Sequence, residues 1–217
     1  LKKHYTPIAP PPDRSVLETM VYACCLENAP YEAADDALAK LQELFFDWNE
    51  VRVTSVTELA EMIDALTDPR ASATNVKRCL QMSFETHYSF DLESLRKQNL
   101  GKATKQIEKY GASPFVVSYM TQAALGGHSI PLDKGALSIL VVLGAITEAE
   151  AAKHTAPGLE RAISKSKGVE FGSLLHQLGA DFIASPHSPN VRKFVQEIDP
   201  EAKDRLPKRA TKKKKKA

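Results

Sequence analysis

The stretch most able to do chemistry runs from Leu100 to Leu143. Within it, Tyr110-Gly111-Ala112-Ser113-Pro114-Phe115 reads as a short glycine-containing hairpin between two helices. Ser113 can cap the second helix and Pro114 can occupy its first turn. Such a hairpin can aim backbone N–H groups, here those of Gly111, Ala112 and Ser113, at a single phosphate. The start of the second helix adds its partial positive charge. Contacts of this kind hold a duplex without reading its sequence. Beyond Gly126-Gly127 and an extended Ile130-Pro131-Leu132 comes Asp133, about eighteen residues after the hairpin. It stands at the mouth of the next helix, which favours its charged form. As a plain N-cap it contributes about 1 kcal/mol to that helix.

The elements that must position these residues are helical throughout. No convincing period-2 strand with hairpin turns is found. Arg14 to Leu26 is apolar on one face, and a second helix is expected from about Glu32 to Phe46. Ser55-Val56-Thr57-Glu58 is a capping box opening a helix to about Leu66, and Pro69 suits the first turn of one reaching Thr86. Asp91 caps a short helix from Leu92 to Lys97, and Lys102 to Lys109 forms the first arm of the hairpin. Asp133 caps a helix to Leu143, and Thr147 with Glu150 forms another capping box. Gly168 to Ile183 and Pro189 to Glu197 complete the set. The fold class is therefore all-α.

Composition narrows the setting. The chain has 217 residues, 43% of them hydrophobic, enough for one large domain or two small lobes. Leu137 to Ile146, the longest apolar stretch, is too short to span a bilayer, so no membrane role is expected. The opening Leu1-Lys2-Lys3-His4 leads into no apolar segment, so no signal peptide is expected; a first residue other than Met suggests further sequence upstream. Cys24, Cys25 and Cys79 read as buried hydrophobes in a reducing, cytoplasmic setting. Seven of the 29 Lys and Arg residues lie in Lys208-Arg209 and Lys212 to Lys216. That leaves 22 against 27 Asp and Glu, a net −5 for the rest. A run of like charges does not pack, so 201–217 is expected to be a disordered basic tail. Lys212, Lys213 and Lys214 suit a polyanion, because Lys–phosphate contacts release counterions; a solubilising tail is the plain alternative.

In order and spacing, this segment resembles the helix-hairpin-helix and Gly/Pro-Asp module of the endonuclease III superfamily of base-excision DNA glycosylases. The family's Leu-Pro-Gly-X-Gly hairpin corresponds to Lys109 through Phe115, and its aliphatic–Gly connector with the catalytic Asp corresponds to Ala124 through Asp133. Leu26-Glu27-Asn28-Ala29-Pro30 resembles the turn that supplies a wedge side chain, with Glu27 where Gln is usual. Arg70 to Val76 resembles the Lys-Ala-X-X-Ile helix, and Gly172 to Ile183 the return helix. The resemblance implies a bilobal fold. Residues 14–30 with 138–200 would form a terminal helical lobe, and 31–137 a helical-barrel lobe with the hairpin at 101–125. It also implies base flipping into a cleft between the lobes. Asp133 would stabilise charge on the deoxyribose and orient a water. DNA would meet Gly111, Ala112, Ser113, Glu27 and Asn28, mainly through phosphates, with the protein acting as a monomer.

Three departures qualify this. The position of the family's Schiff-base Lys is Phe115, so no lyase activity is expected. Pro114 removes one amide from the hairpin. No Cys follows Cys79, so no iron–sulfur cluster, no other metal and no cofactor is expected. Tyr31, Trp48 and Tyr119 could stack on a flipped base, but aromatics at helical spacing are more often core. The first reading is a monofunctional DNA glycosylase using Asp133 and water. The second is a catalytically silent DNA-binding module of the same fold. The third is a helical interaction protein whose tail alone meets nucleic acid.

Overall fold

The computed structural model describes residues 1–208. Among them there is no strand. The helices are α1 (Val16–Leu26), α2 (Tyr31–Leu44), α3 (Trp48–Val53), α4 (Val56–Met62), α5 (Pro69–His87), α6 (Leu100–Lys109), α7 (Pro114–Ala123), α8 (Lys134–Val142), α9 (Glu148–Ala152), α10 (Leu159–Ala162), α11 (Lys165–Ala184) and α12 (Pro189–Ile198). Two 3-10 turns, Glu93–Lys97 and Pro200–Arg205, join them.

Local chemistry sets most of the helix starts. Ser15 with Glu18, Ser55 with Glu58 and Thr147 with Glu150 form reciprocal capping boxes. Asp68 caps α5 ahead of Pro69, and Ser113 caps α7 ahead of Pro114. α3 and α10 escaped the sequence reading. At six and four residues they are too short to display a helical period.

Apolar side chains gather into two clusters. The first spans residues 16–124, with α1 packed among α2, α5 and α7. Ten of the eleven residues of α1 are buried. The second cluster spans 136–206 and is built from α8, α11, α12 and Ala202. The division drawn from sequence is corrected on this point. The segment 14–30 does not join 138–200, because a helix buried on nearly every side needs cover all round, and the first cluster supplies it. The N-terminal segment reaches both clusters, with Ile8 packed on the first. Leu1 and Tyr5 pack on the second, and Tyr5 donates to Asp181 Oδ2 at 2.7 Å. Ile8 N–H donates to Ser173 Oγ at 2.8 Å.

The expected disorder over 201–217 is also corrected for its first part. Ala202 is fully buried in the second cluster, and Arg205 Nε donates to the Val142 carbonyl at 2.7 Å. One small buried apolar anchor and one guanidinium–carbonyl hydrogen bond outweigh the polar composition around them. Lys212, Lys213 and Lys214 lie outside the described residues. Among the described residues, no helix is long and apolar enough to cross a membrane.

α8 and α11 cross with their backbones in contact. A Cβ placed on Gly135 would sit 2.3 Å from Gly179 O, and one on Gly179 would sit 2.5 Å from Ala136 N. The obstacle in each case is main chain, which cannot swing aside as a side chain can. Gly135→Ala is therefore expected to destabilise the fold by about 3 kcal/mol. Gly101→Ala, whose nearest contact would be an ordinary 3.5 Å, should be neutral or better. Urea unfolding of both variants checks this, and equal midpoints would contradict it.

Candidate functional site

The connector after α7 brings Asp133 to the first turn of α8. Its Oδ1 accepts the Ala136 N–H at 2.7 Å. Its Oδ2 lies 3.0 Å from His176 Nδ1 on α11. The two side chains are 0% and 3% exposed, so no face of the carboxylate meets solvent. The far side of the histidine ring fixes its chemistry. His176 Nε2 lies 2.8 Å from the Ala29 carbonyl, which can only accept, so Nε2 carries a proton. The contact with Asp133 lacks the alignment of a good hydrogen bond, and neither atom has another partner.

Aromatic rings close the surroundings. Phe115 stacks on Tyr119 with centroids 6.1 Å apart and leans on His176 at 5.7 Å. Tyr31 meets His176 edge-on at 5.0 Å, and burial pushes its phenol up to about 12, so it stays un-ionised. Ile8 and Pro10 reach this cage from the N-terminal segment. The space left among these residues is only about 10 Å³. Asp133, expected to meet substrate, is instead enclosed as a helix cap and a partner for His176. Tyr31 and Tyr119, weighed as stacking platforms for a base, are core.

The outer face of the same region is open. Gly111 adopts φ +76°, and a Cβ there would strike the Arg78 side chain at 2.9 Å. Arg78, anchored to Asn75, thus lies against the hairpin. Sequence reasoning missed it, although it stands just beyond the Arg70 to Val76 stretch. Of the three amides expected to be available, that of Gly111 is taken by the Glu108 carbonyl at 3.0 Å. Those of Ala112 and Ser113 have no hydrogen-bond partner among the described residues.

The turn at 27–28 braces this hairpin. Ser113 Oγ accepts the Val116 N–H at 3.2 Å and donates to Glu27 Oε2 at 2.8 Å. Asn75 Nδ2 reaches the same carboxylate at 3.4 Å. Asn28, left-handed at φ +64°, accepts the Lys134 N–H on its Oδ1 at 3.0 Å. The hairpin, the 27–28 turn and the start of α8 are therefore tied together, with Asn28 spent on holding them. Burial lifts the Glu27 carboxyl above its usual range against the pull of the Ser113 hydroxyl; the Asp133 charge raises it further, while His154 and Arg78 lower it. Among the described residues no cluster suited to a metal ion is found.

No protein-family model and no curated protein matches this chain. Among solved structures it is similar to a trapped endonuclease III–DNA covalent intermediate, an estranged-adenine complex. The TM-score is 0.57 at 16% identity, over 88% of this chain and 86% of that one. The likeness establishes an all-α, endonuclease III-like fold.

Two outcomes follow from the geometry. Asp133→Asn keeps the cap oxygen and offers an N–H to His176 Nδ1, so it should change stability by no more than about 1 kcal/mol. Asp133→Ala loses the cap and strands the ring nitrogen, costing about 3 kcal/mol. Denaturant melts showing equal losses for both would contradict this geometry. The second outcome concerns Glu27. Its folded-state pKa is raised, so its charge costs stability above that value and the cost disappears as pH falls through it. Glu27→Gln should thus stabilise the protein at neutral pH and lose that advantage on acidification. A variant with the same deficit or gain at every pH would contradict this.

Proposed function

We propose that this chain binds DNA through its hairpin face and does not itself break the glycosidic bond. The observation that carries the reading is the Asp133 carboxylate, whose side chain is fully buried against a His176 ring on which Phe115 and Tyr31 pack. Hydrolysis of an N-glycosidic bond needs a carboxylate within reach of the sugar and a water. Here the carboxylate's two oxygens are directed at Ala136 N and His176 Nδ1.

Binding draws support from the open side. The Ala112 and Ser113 amides, the start of the ten-residue α7 and the Arg78 guanidinium together suit one backbone phosphate. Such a grip is independent of base sequence. The Lys-rich end, including Lys212, Lys213 and Lys214, would add non-specific affinity that salt screens. Glu27 beside the hairpin opposes phosphate and weakens the grip while charged. A repair-type role follows as recognition of DNA shape or damage rather than base removal.

Fluorescence anisotropy with a short duplex tests this. The full chain should bind with strong salt dependence. Ala112→Asp, which sets a charge against the phosphate, should weaken binding by about tenfold or more at low salt. A panel of lesion-bearing duplexes should be bound without base release. Release that disappears in Asp133→Asn would overturn the non-catalytic reading in favour of a monofunctional glycosylase. Absence of binding at low salt would overturn the DNA reading itself.

A further inference from the structure

The corner between α2 and α3 puts apolar side chains at the surface that the core does not use. The backbone there is extended at Phe45 (φ −117°, ψ 139°) and at Asp47 (φ −151°, ψ 171°). Successive side chains of an extended chain point to opposite sides. Phe45 accordingly turns inward and packs on the first cluster, while Phe46 turns out and is 93% exposed. Leu44, just before them, is exposed as well. The corner is held in place. Phe46 N–H donates to Glu50 Oε2 at 2.7 Å, and Asp47 Oδ1 accepts the Glu50 N–H at 2.9 Å. An apolar side chain offered by a fixed backbone loses little freedom on meeting a partner.

Beside Phe46 lies a notch of about 120 Å³, walled by Leu41, Phe45, Phe46 and Trp48 and lined also by Glu18 and Asp47. It is smaller than the roughly 300–1,000 Å³ of small-molecule sites, so it suits one apolar side chain of a larger partner. The surroundings are acidic. Residues 31–68 carry ten Asp and Glu against Lys40 and Arg52, a net −8. Lys40 is already paired with Asp64 at 3.6 Å. On the corner itself, Glu43, Asp47 and Glu50 are all exposed. By contrast, 96–109, which leads into the hairpin, carries five Lys and Arg against Glu108.

We infer that this corner docks a basic amphipathic segment of another protein. One large apolar side chain of that segment enters the notch, and flanking Lys or Arg residues meet Glu43, Asp47 and Glu50. Exposed apolar side chains rimmed by charge mark a protein contact, and aromatic rings serve as its anchors. The surrounding charge selects the partner: an acidic rim attracts a basic segment and rejects an acidic one. A nucleic-acid backbone is repelled by the same −8, so the corner is no second DNA contact. The chain's own Lys-rich end does not fit either. After Pro207 it consists of Lys, Arg, Ala and Thr, none with a large apolar side chain to fill the notch. The inference stands apart from the DNA-binding reading, since it uses none of the hairpin residues.

Fluorescence anisotropy of the full chain with two labelled peptides tests this. One is an amphipathic probe of about fifteen Lys, Ala and Leu residues with its leucines on one helical face. The other has Ser in place of every Leu. Wild type should bind the leucine probe at least about tenfold more tightly than the serine probe. Phe46→Ser, at a position the core does not use, should weaken the leucine probe by about fivefold or more while the melting temperature stays unchanged. Glu43→Lys should weaken both probes and flatten the salt dependence. Equal binding of the two probes, or undiminished affinity in Phe46→Ser, would overturn the inference. A sedimenting mass that rises with protein concentration in wild type and not in Phe46→Ser would also overturn it, by placing a second copy on the corner. Ala112→Asp should bind the leucine probe as wild type does, so failure of the hairpin reading and failure of this one are read separately.

Discussion

One buried contact organises this molecule: Asp133 on the first turn of α8, facing His176 on α11, which in turn donates to the Ala29 carbonyl. Three stretches far apart in sequence meet there, and none of their polar atoms sees water. Burying two such groups demands that each keep the other close at hand. That demand fixes the approach of α8 to α11, which Gly135 and Glycine 179 permit by leaving the two backbones in contact. It also places the Asp133 carboxylate out of reach of solvent.

The rest of the region divides into an inner and an outer side. Inward, Phe115, Tyr31 and Tyr119 complete an aromatic cage around the histidine, and the N-terminal segment covers it at Ile8 and Pro10. Outward, the hairpin keeps two amides available, with Arg78 laid against Gly111 and Ser113 tied to Glu27. The fold is of the endonuclease III kind, and within it the hairpin amides stay open while the space around His176 is filled.

What was legible in the sequence was local. Capping boxes at Ser55 and Thr147, the Ser113-Pro114 helix start and the Asp133 cap are all encoded within four residues, and each is found. What was illegible was long-range. His176 stands 43 residues from Asp133, and nothing in its neighbourhood marks it as the partner. Phe115 at that position announced the absence of an amine, but not that its ring would pack on His176. The lobe division came from the family resemblance, which did not convey that α1 is buried on nearly every face within the first cluster. Ala202 shows the same limit at the other end, where one buried methyl outweighs a polar composition.

The most direct measurement is nitrogen NMR of the His176 ring and of the Ala112 and Ser113 amides, with and without saturating duplex. The expected result is a ring protonated at Nε2 whose signals do not move when DNA is added, while both hairpin amides shift. Movement of the His176 signals on adding DNA, with the hairpin amides unchanged, would contradict a sealed acid beneath an open phosphate grip.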